Sequence, residues 1–328
     1  MKGRDLAIVA AVVLLGGFAL ADSLRSRGGN PSEPTAATAT EAGPAPRPDA
    51  PANWPVGRIR GTLVFMDADD CRVRVIGLGG GRERPTAELV GFCDLWAAPI
   101  GQRIAYSAGG VRGSTEEGFT VVDLRRAGVE LGTFQNLAGD VLWSPDAQRV
   151  AWCTENGVGQ EFEIARERPR SFARCPIAYT PEGRLAFAVG RRLIVDGHTV
   201  LTEAGPIVQA FWGEDESLLV VQEGGRLRRY DESGQTDSTV LLSARSVVPS
   251  PDNCAVIYSE PGRIQVASVG CFSGPPRSFI AFDAAWSADG EWVAVAGTEQ
   301  IEFHRLVGGD ETFAWPARAR DLYWRGED

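Results

Sequence analysis

Reactive side chains are scarce in this sequence, and their spacing narrows the chemistry open to them. The only histidines are His198 and His304. A zinc centre or a nucleophile–base pair would have to use one of them or do without imidazole. Glu302 and His304 alternate along one segment, as two metal ligands on a strand face would, yet a solvated strand face shows the same alternation. Asp67-Ala68-Asp69-Asp70 has the carboxylate density of a calcium loop. It lacks the following glycine and the distal glutamate of the EF-hand pattern, and so reads as a polar turn between strands. Glu116-Glu117 reads the same way one repeat later, which would set both acidic loops on one face.

Other candidates fail on spacing. Ser287-Ala288-Asp289-Gly290 suggests a glycosidase Asp box, but here Asp and Gly are adjacent, where that motif needs Asp two residues before Gly. Gly79-Gly80-Gly81 has no strand-to-helix context in which to cradle a phosphate, and reads as a loop. No catalytic residue, metal ligand or cofactor site is assigned on these grounds. The net charge of −10 and pI near 4.9 oppose nucleic-acid binding, which needs a basic face to displace phosphate counterions.

The elements that would position any site come in three parts. From Leu6 to Ala21 every residue is apolar or Gly, with Lys2 and Arg4 before it and Arg25 and Arg27 after. Residues 1–21 therefore read as an export signal. It is either a retained membrane-spanning helix or a signal peptide cleaved after Ala19-Leu20-Ala21, which fits the small-x-small pattern. Residues 22–56 carry Pro31, Pro34, Pro44, Pro46, Pro48 and Pro51 among Ala, Thr and Ser without apolar periodicity, the composition of a disordered, extended linker. The remainder, residues 57–328, shows short alternating runs bounded by Gly, Pro, Asp and Asn, and reads as all-β.

Within that body one unit recurs: an aromatic, a Ser-Pro-Asp-Gly-like turn, then a strand of small and branched apolar residues. Trp143-Ser144-Pro145-Asp146 followed by Val150-Ala151-Trp152 is its clearest copy. The aromatic anchors are Trp143, Tyr179, Trp212, Trp286 and Trp324, placed where they would fill the wedge between neighbouring sheets. Taking the Ser-equivalent positions as 98, 144, 180, 213, 250, 287 and 325, successive copies lie 46, 36, 33, 37, 37 and 38 residues apart. A repeat of about 40 residues with four strands each is the signature of a β-propeller. Third strands are expected at Arg72 to Leu78, Phe119 to Leu124, Glu161 to Ala165, Arg192 to Val195, Arg226 to Tyr230, Arg263 to Ala267 and Gln300 to His304. Arg320 to Trp324 supplies an innermost strand without a hairpin partner, and Gly61 to Phe65 supplies that partner, with Pro85 to Leu89 as the fourth strand of the same blade. The expectation is seven blades closed by strands from both chain ends, with six as the alternative.

The turn-and-strand unit resembles the WD-like repeat of TolB-type propellers over roughly residues 57–328. That resemblance implies an exported protein-interaction propeller. It carries over no partner and no binding residue, since the best-known member has six blades beside an α/β domain, neither of which is read here.

An exported body permits oxidation of its six cysteines. In the expected strand order Cys71 and Cys93, and Cys153 and Cys175, meet on one face of the ring, whereas Cys254 and Cys271 meet on the other. Three disulfides follow. The function expected is a binding or scaffolding module outside the cytoplasmic membrane, not an enzyme. It would be single-pass, or secreted if the signal is cleaved, with an unidentified protein or cell-envelope component as partner. The alternative is a hydrolase or lyase acting on glycans, with carboxylates of several blades meeting at the central channel.

Overall fold

The computed structural model describes residues 50–84, 94–108, 118–126, 128–231, 234–240 and 246–326. The expected export signal, most of the linker, Pro85 to Leu89, Cys93 and Glu116-Glu117 lie outside these. No helix of the described residues is long and apolar enough to cross a membrane.

The described residues form seven four-stranded antiparallel sheets arranged as the blades of a propeller. Strands are numbered along the chain, β1 (Thr62–Asp67), β2 (Val73–Gly77) and β3 (Arg82–Arg84) coming first. The second blade comprises β4 (Leu95–Ala97), β5 (Arg103–Ala108), β6 (Gly118–Asp123) and β7 (Val129–Gln135). The third has β8 (Leu142–Trp143), β9 (Arg149–Cys153), β10 (Gly159–Glu163) and β11 (Arg168–Phe172), and the fourth β12 (Pro176–Tyr179), β13 (Leu185–Val189), β14 (Arg192–Val195) and β15 (His198–Thr202). The fifth runs through β16 (Ile207–Trp212), β17 (Leu218–Gln222), β18 (Arg226–Asp231) and β19 (Gly234–Val240). The sixth holds β20 (Val247–Pro249), β21 (Ala255–Glu260), β22 (Arg263–Ser268) and β23 (Arg277–Phe279), and the seventh β24 (Asp283–Trp286), β25 (Trp292–Ala296), β26 (Ile301–Arg305) and β27 (Thr312–Trp315). The last strand, β28 (Ala319–Arg325), returns to pair with β1 and completes the first blade, in the order β28-β1-β2-β3. The third strands fall where the sequence sets them, to within one or two residues. Among the described residues the fourth strand of the first blade is Arg82–Arg84, pairing with Val75–Gly77, and the expected Pro85 to Leu89 lies outside them.

The recurring turn is held by its own side chains. Ser144 Oγ donates to the Asp146 carboxylate at 2.6 Å and accepts from Arg149 N at 2.9 Å. Ser250 with Asp252 and Ala255, and Ser287 with Asp289 and Trp292, repeat both bonds. Serine thus ties the first residue of the turn to the strand that follows, and aspartate stops its hydroxyl from swinging away. The fourth position of the turn lies in the left-handed region, occupied by Gly183 (φ 75°) and Gly290 (φ 70°) but also by Ala147 (φ 53°), Glu216 (φ 62°) and Asn253 (φ 55°). A residue with a Cβ costs about 1 kcal/mol there. Glu216→Gly is therefore expected to raise stability by about 0.5–1 kcal/mol and Gly290→Ala to lower it by about 1 kcal/mol. Equal melting temperatures for all three proteins would show that this conformation carries no cost.

Between blades the core is built from strands that are apolar on both faces. All five residues of β25, Trp-Val-Ala-Val-Ala, are buried, and alternate ones pack on opposite neighbours. Ala294, Ala296, Phe303 and Trp315 meet Leu63, Phe65 and Leu78 of the first blade, whereas Val293 and Val295 meet Ala255 and Ile257 of the sixth. Trp54 joins the first of these clusters. It is buried, stands edge-on to Phe303 and Trp315, and donates its indole N–H to Leu78 O at 2.9 Å. Packing against the propeller therefore starts a few residues before position 57. Gly81 makes room for it, since a Cβ there would stand 2.6 Å from the Trp54 ring.

Cys153–Cys175 and Cys254–Cys271 lie at bridging distance, with Cα atoms 4.9 and 4.8 Å apart. Cys153 ends β9 and Cys175 precedes β12, so this bridge joins the third and fourth blades. Cys254 and Cys271 span the β21–β22 hairpin at the opposite end of the strands. Cys71 is also disulfide-bonded, while Cys93 lies outside the described residues. Bridges closing loops of this size contribute about 2–4 kcal/mol each.

Candidate functional site: the central channel

The channel is walled by the innermost strands β28, β4, β8, β12, β16, β20 and β24. It holds a cavity of about 680 Å³ against the second to sixth blades and one of about 490 Å³ against the sixth, seventh and first. Pro99, Ile100, Glu214, Pro249, Pro251 and Tyr323 border both.

The two ends of the channel differ because the repeat places different residues there. At the end where inner strands enter the turns, Pro145, Pro181 and Pro251 sit at turn positions at which proline fixes φ, and they join Pro99 in the wall. Ile100 beside them is 55% exposed. This mouth is apolar and rigid, with Glu214 as its acid.

The end where inner strands begin is acidic. Counting back from the Ser-equivalent position of each turn, the fourth residue is Asp94, Asp140, Asp283 and Asp321 in four consecutive blades, and Pro176, Gln209 and Ser246 in the other three. Asp283 accepts the Leu322 N–H at 2.6 Å, and Asp321 accepts the Leu95 N–H at 3.1 Å. Each carboxylate therefore latches the innermost strand of the next blade. Asp140 reaches back to the Trp96 indole N–H at 3.3 Å. Tyr323 donates to Leu95 O at 2.5 Å.

Asp283 and Asp321 both border the smaller cavity. Burial pushes the Asp283 carboxyl up to about 6. Burial, reinforced by the charges of Asp283 and Asp94, pushes Asp321 up to about 7. The Tyr323 hydroxyl is raised well above its usual range by burial and by Asp321 and Asp283. Two neighbouring carboxylates in such a setting titrate as a pair and retain a proton near neutral pH. The sequence reading assigned no residue here. The available signal was the aspartate recurring three residues before the anchor position.

The anchors have two roles. Trp143 donates its indole N–H to Trp96 O of the preceding blade at 3.0 Å, and Trp286 does so to Val248 O at 3.1 Å. Trp324 bonds Arg60 O at 2.9 Å and Tyr179 bonds Glu161 of the third blade at 3.0 Å. Trp212 packs on the cluster formed by the fourth and fifth blades. All five also border the channel cavities, a surface that the wedge-filling reading does not include.

The other sequence candidates are dispersed. His304 lies on the third strand of the seventh blade, with Nε2 at 3.0 Å from Glu302 and Nδ1 at 3.2 Å from Thr312 Oγ. Burial lowers its pKa despite Glu302. His198 is exposed at the start of β15. Asp67 is buried, accepts the Asp69 N–H at 2.9 Å and pairs with Arg74 at 2.6 Å, while Asp70 accepts the Arg72 N–H. The acidic loop is closed by its own carboxylates. Among the described residues no group of three acidic, histidine or cysteine side chains is placed to hold a metal ion.

No protein-family model and no curated protein matches the sequence. Solved structures do. A putative 6-phosphogluconolactonase from Bacteroides fragilis superposes with a TM-score of 0.56 at 9% identity, over 84% of this chain and 99% of that one. TolB from Acinetobacter baumannii gives 0.48 at 14% identity, over 81% of this chain and 67% of that one. The Cps50 (Swd1) β-propeller domain of Myceliophteria thermophila gives 0.48 at 12% identity, over 72% and 89%. The likeness is one of fold.

Proposed function

We propose that this chain is an exported binding propeller, held outside the cytoplasmic membrane by its N-terminal hydrophobic segment, that takes a protein or cell-envelope component at the apolar mouth of its channel. The mouth is the observation that supports binding. Its prolines are fixed before any partner arrives, so covering Pro99, Ile100, Pro181 and Pro251 orders few side chains and keeps most of the gain from apolar burial. Export is supported by the bridged cysteine pairs, because such bonds persist outside a reducing cytoplasm. A photo-crosslinking residue in place of Ile100, activated in cells and followed by mass spectrometry, should capture one or a few discrete partners. The same residue in place of Val129, exposed on the outer strand β7, should not. Indistinguishable adducts from both positions would argue against recognition at the mouth.

One observation favours an enzyme instead: the Asp283–Asp321 pair, whose raised pKa values suit a proton donor working near neutral pH. That reading needs new reducing ends from purified cell-wall glycan and their loss in Asp321→Asn. As the structure stands, both carboxylates already serve the neighbouring strand.

A further inference from the structure

The fourth blade is the shortest repeat, with 33 residues between its turn and the next, and a cavity apart from the two in the channel lies beside it. Its outer strands β14 and β15 are joined by Asp196 and Gly197 alone, both at positive φ (50° and 79°). By contrast, the corresponding link in the seventh blade runs from Leu306 to Glu311. Against the fifth blade this leaves a cleft of about 610 Å³ on the turn-bearing face. Trp212 and Pro181 border both this cleft and the channel.

Its chemistry is of two kinds. The floor is apolar and aromatic, with Trp212, Tyr230, Leu201 and Leu218 contributing. The rim is acidic: Glu182, Asp196 and Glu216 stand against one guanidinium, Arg184. That guanidinium is already committed, with Nη2 on Glu182 at 3.0 Å and Nη1 on Asp196 at 3.3 Å. Three carboxylates around one bound cation leave an excess of negative charge over an aromatic floor. We propose that this cleft is a binding site for an organic cation, a guanidinium or ammonium group on an aliphatic stem, with the stem on Leu201 and Leu218, the head at the carboxylates and Trp212 beside it. Cation–π attraction and charge-assisted hydrogen bonds both select for such a ligand, and an anion is repelled.

The test uses the full-length protein and isothermal titration with acetyl-Gly-Arg-Gly-amide, its uncharged citrulline counterpart, and agmatine. The arginine peptide is expected to bind at least about tenfold more tightly than the citrulline peptide, because only the charge differs. Agmatine separates the sources: binding as tight as the arginine peptide assigns the site to free amines, and weaker binding to basic side chains of a peptide. Asp196→Asn combined with Glu216→Gln should weaken the favoured probe by about tenfold or more. Val200→Arg, which places a tethered cation at an exposed position in the cleft wall, should abolish binding without lowering the melting temperature. Equal affinity for arginine and citrulline peptides, or affinity unchanged in both variants, overturns the proposal.

Discussion

Removal of residues 319–328 is expected to lower the melting temperature of the body by at least about 10 °C, far more than loss of a surface tail. Strand β28 is the innermost strand of the first blade. It pairs with β1 from Thr62↔Arg325 to Asp67↔Ala319, and it buries Ala319 and Leu322 between blades. The Arg325 guanidinium donates to Gly101 O at 2.7 Å and Arg103 O at 2.8 Å in the second blade, while Asp321 and Tyr323 bond Leu95 there. On the other side Asp283 holds Leu322 N. Truncation breaks all of these contacts, opens the ring on two flanks, and leaves β1 as an unpaired edge. A loss of about 5 kcal/mol or more follows from the exposed apolar surface and unmade hydrogen bonds, at about 2–4 °C per kcal/mol for a large domain. Leu322→Asp at full length should reproduce much of the effect. A truncated protein that melts with the full-length one would contradict closure of the ring through this strand.

The second large effect concerns acidity. Asp283 and Asp321 have pKa values raised to about 6 and about 7 in the folded protein, above the ordinary aspartate value of about 3.9. Between those limits the folded state binds more protons than the unfolded one, so their contribution to stability is fully present below about pH 4 and is lost as the pH rises through 6 to 7. The charges acting on Asp321 are Asp283 and Asp94 on the neighbouring blades, which raise it, and Arg320 on its own strand, which lowers it, while Tyr323 lies two residues further along that strand. Asp321→Asn keeps an oxygen for the Leu95 N–H and removes the charge. Its melting temperature at pH 8 should exceed the parent's by several degrees, corresponding to roughly 2–4 kcal/mol, and the difference should vanish below about pH 4. Paired melts of parent and variant across that range decide it. A variant less stable than its parent at pH 8 would mean that the charged latch stabilises the ring by more than its burial costs.

What the sequence disclosed was local or repeated. The serine, aspartate and left-handed residue of the turns at Ser144, Ser250 and Ser287 act within five positions of one another, so their pattern survives as a word in the chain. Two of the expected strands, Arg192 to Val195 and Thr312 to Trp315, coincide with observed ones residue for residue because alternation and turn residues agree there. The acidic end of the channel was harder to see. Asp94, Asp140, Asp283 and Asp321 each lie at an unremarkable strand start, and the meaning of Asp283 and Asp321 depends on the next blade presenting a backbone N–H at hydrogen-bond distance. The cleft beside the fourth blade depends on a two-residue link and on the neighbour it fails to cover, which no single segment records. Trp54 reads as part of the linker because prolines surround it, and its burial rests on a glycine 27 positions later.

The pairing of Thr62 with Arg325 also fixes an order of events in the life of the chain. Residues separated by 263 positions cannot meet until nearly the whole body has been synthesised and, if it is exported, delivered across the membrane. Until then β1 to β3 wait with an open edge, and six blades stand as an arc rather than a circle. Such long-range closure is slow, and the exposed strand of an arc can pair with the same strand of another copy. A folding helper that shields β1 during that interval would limit such mispairing, and its demand should rise in any variant that delays the arrival of β28.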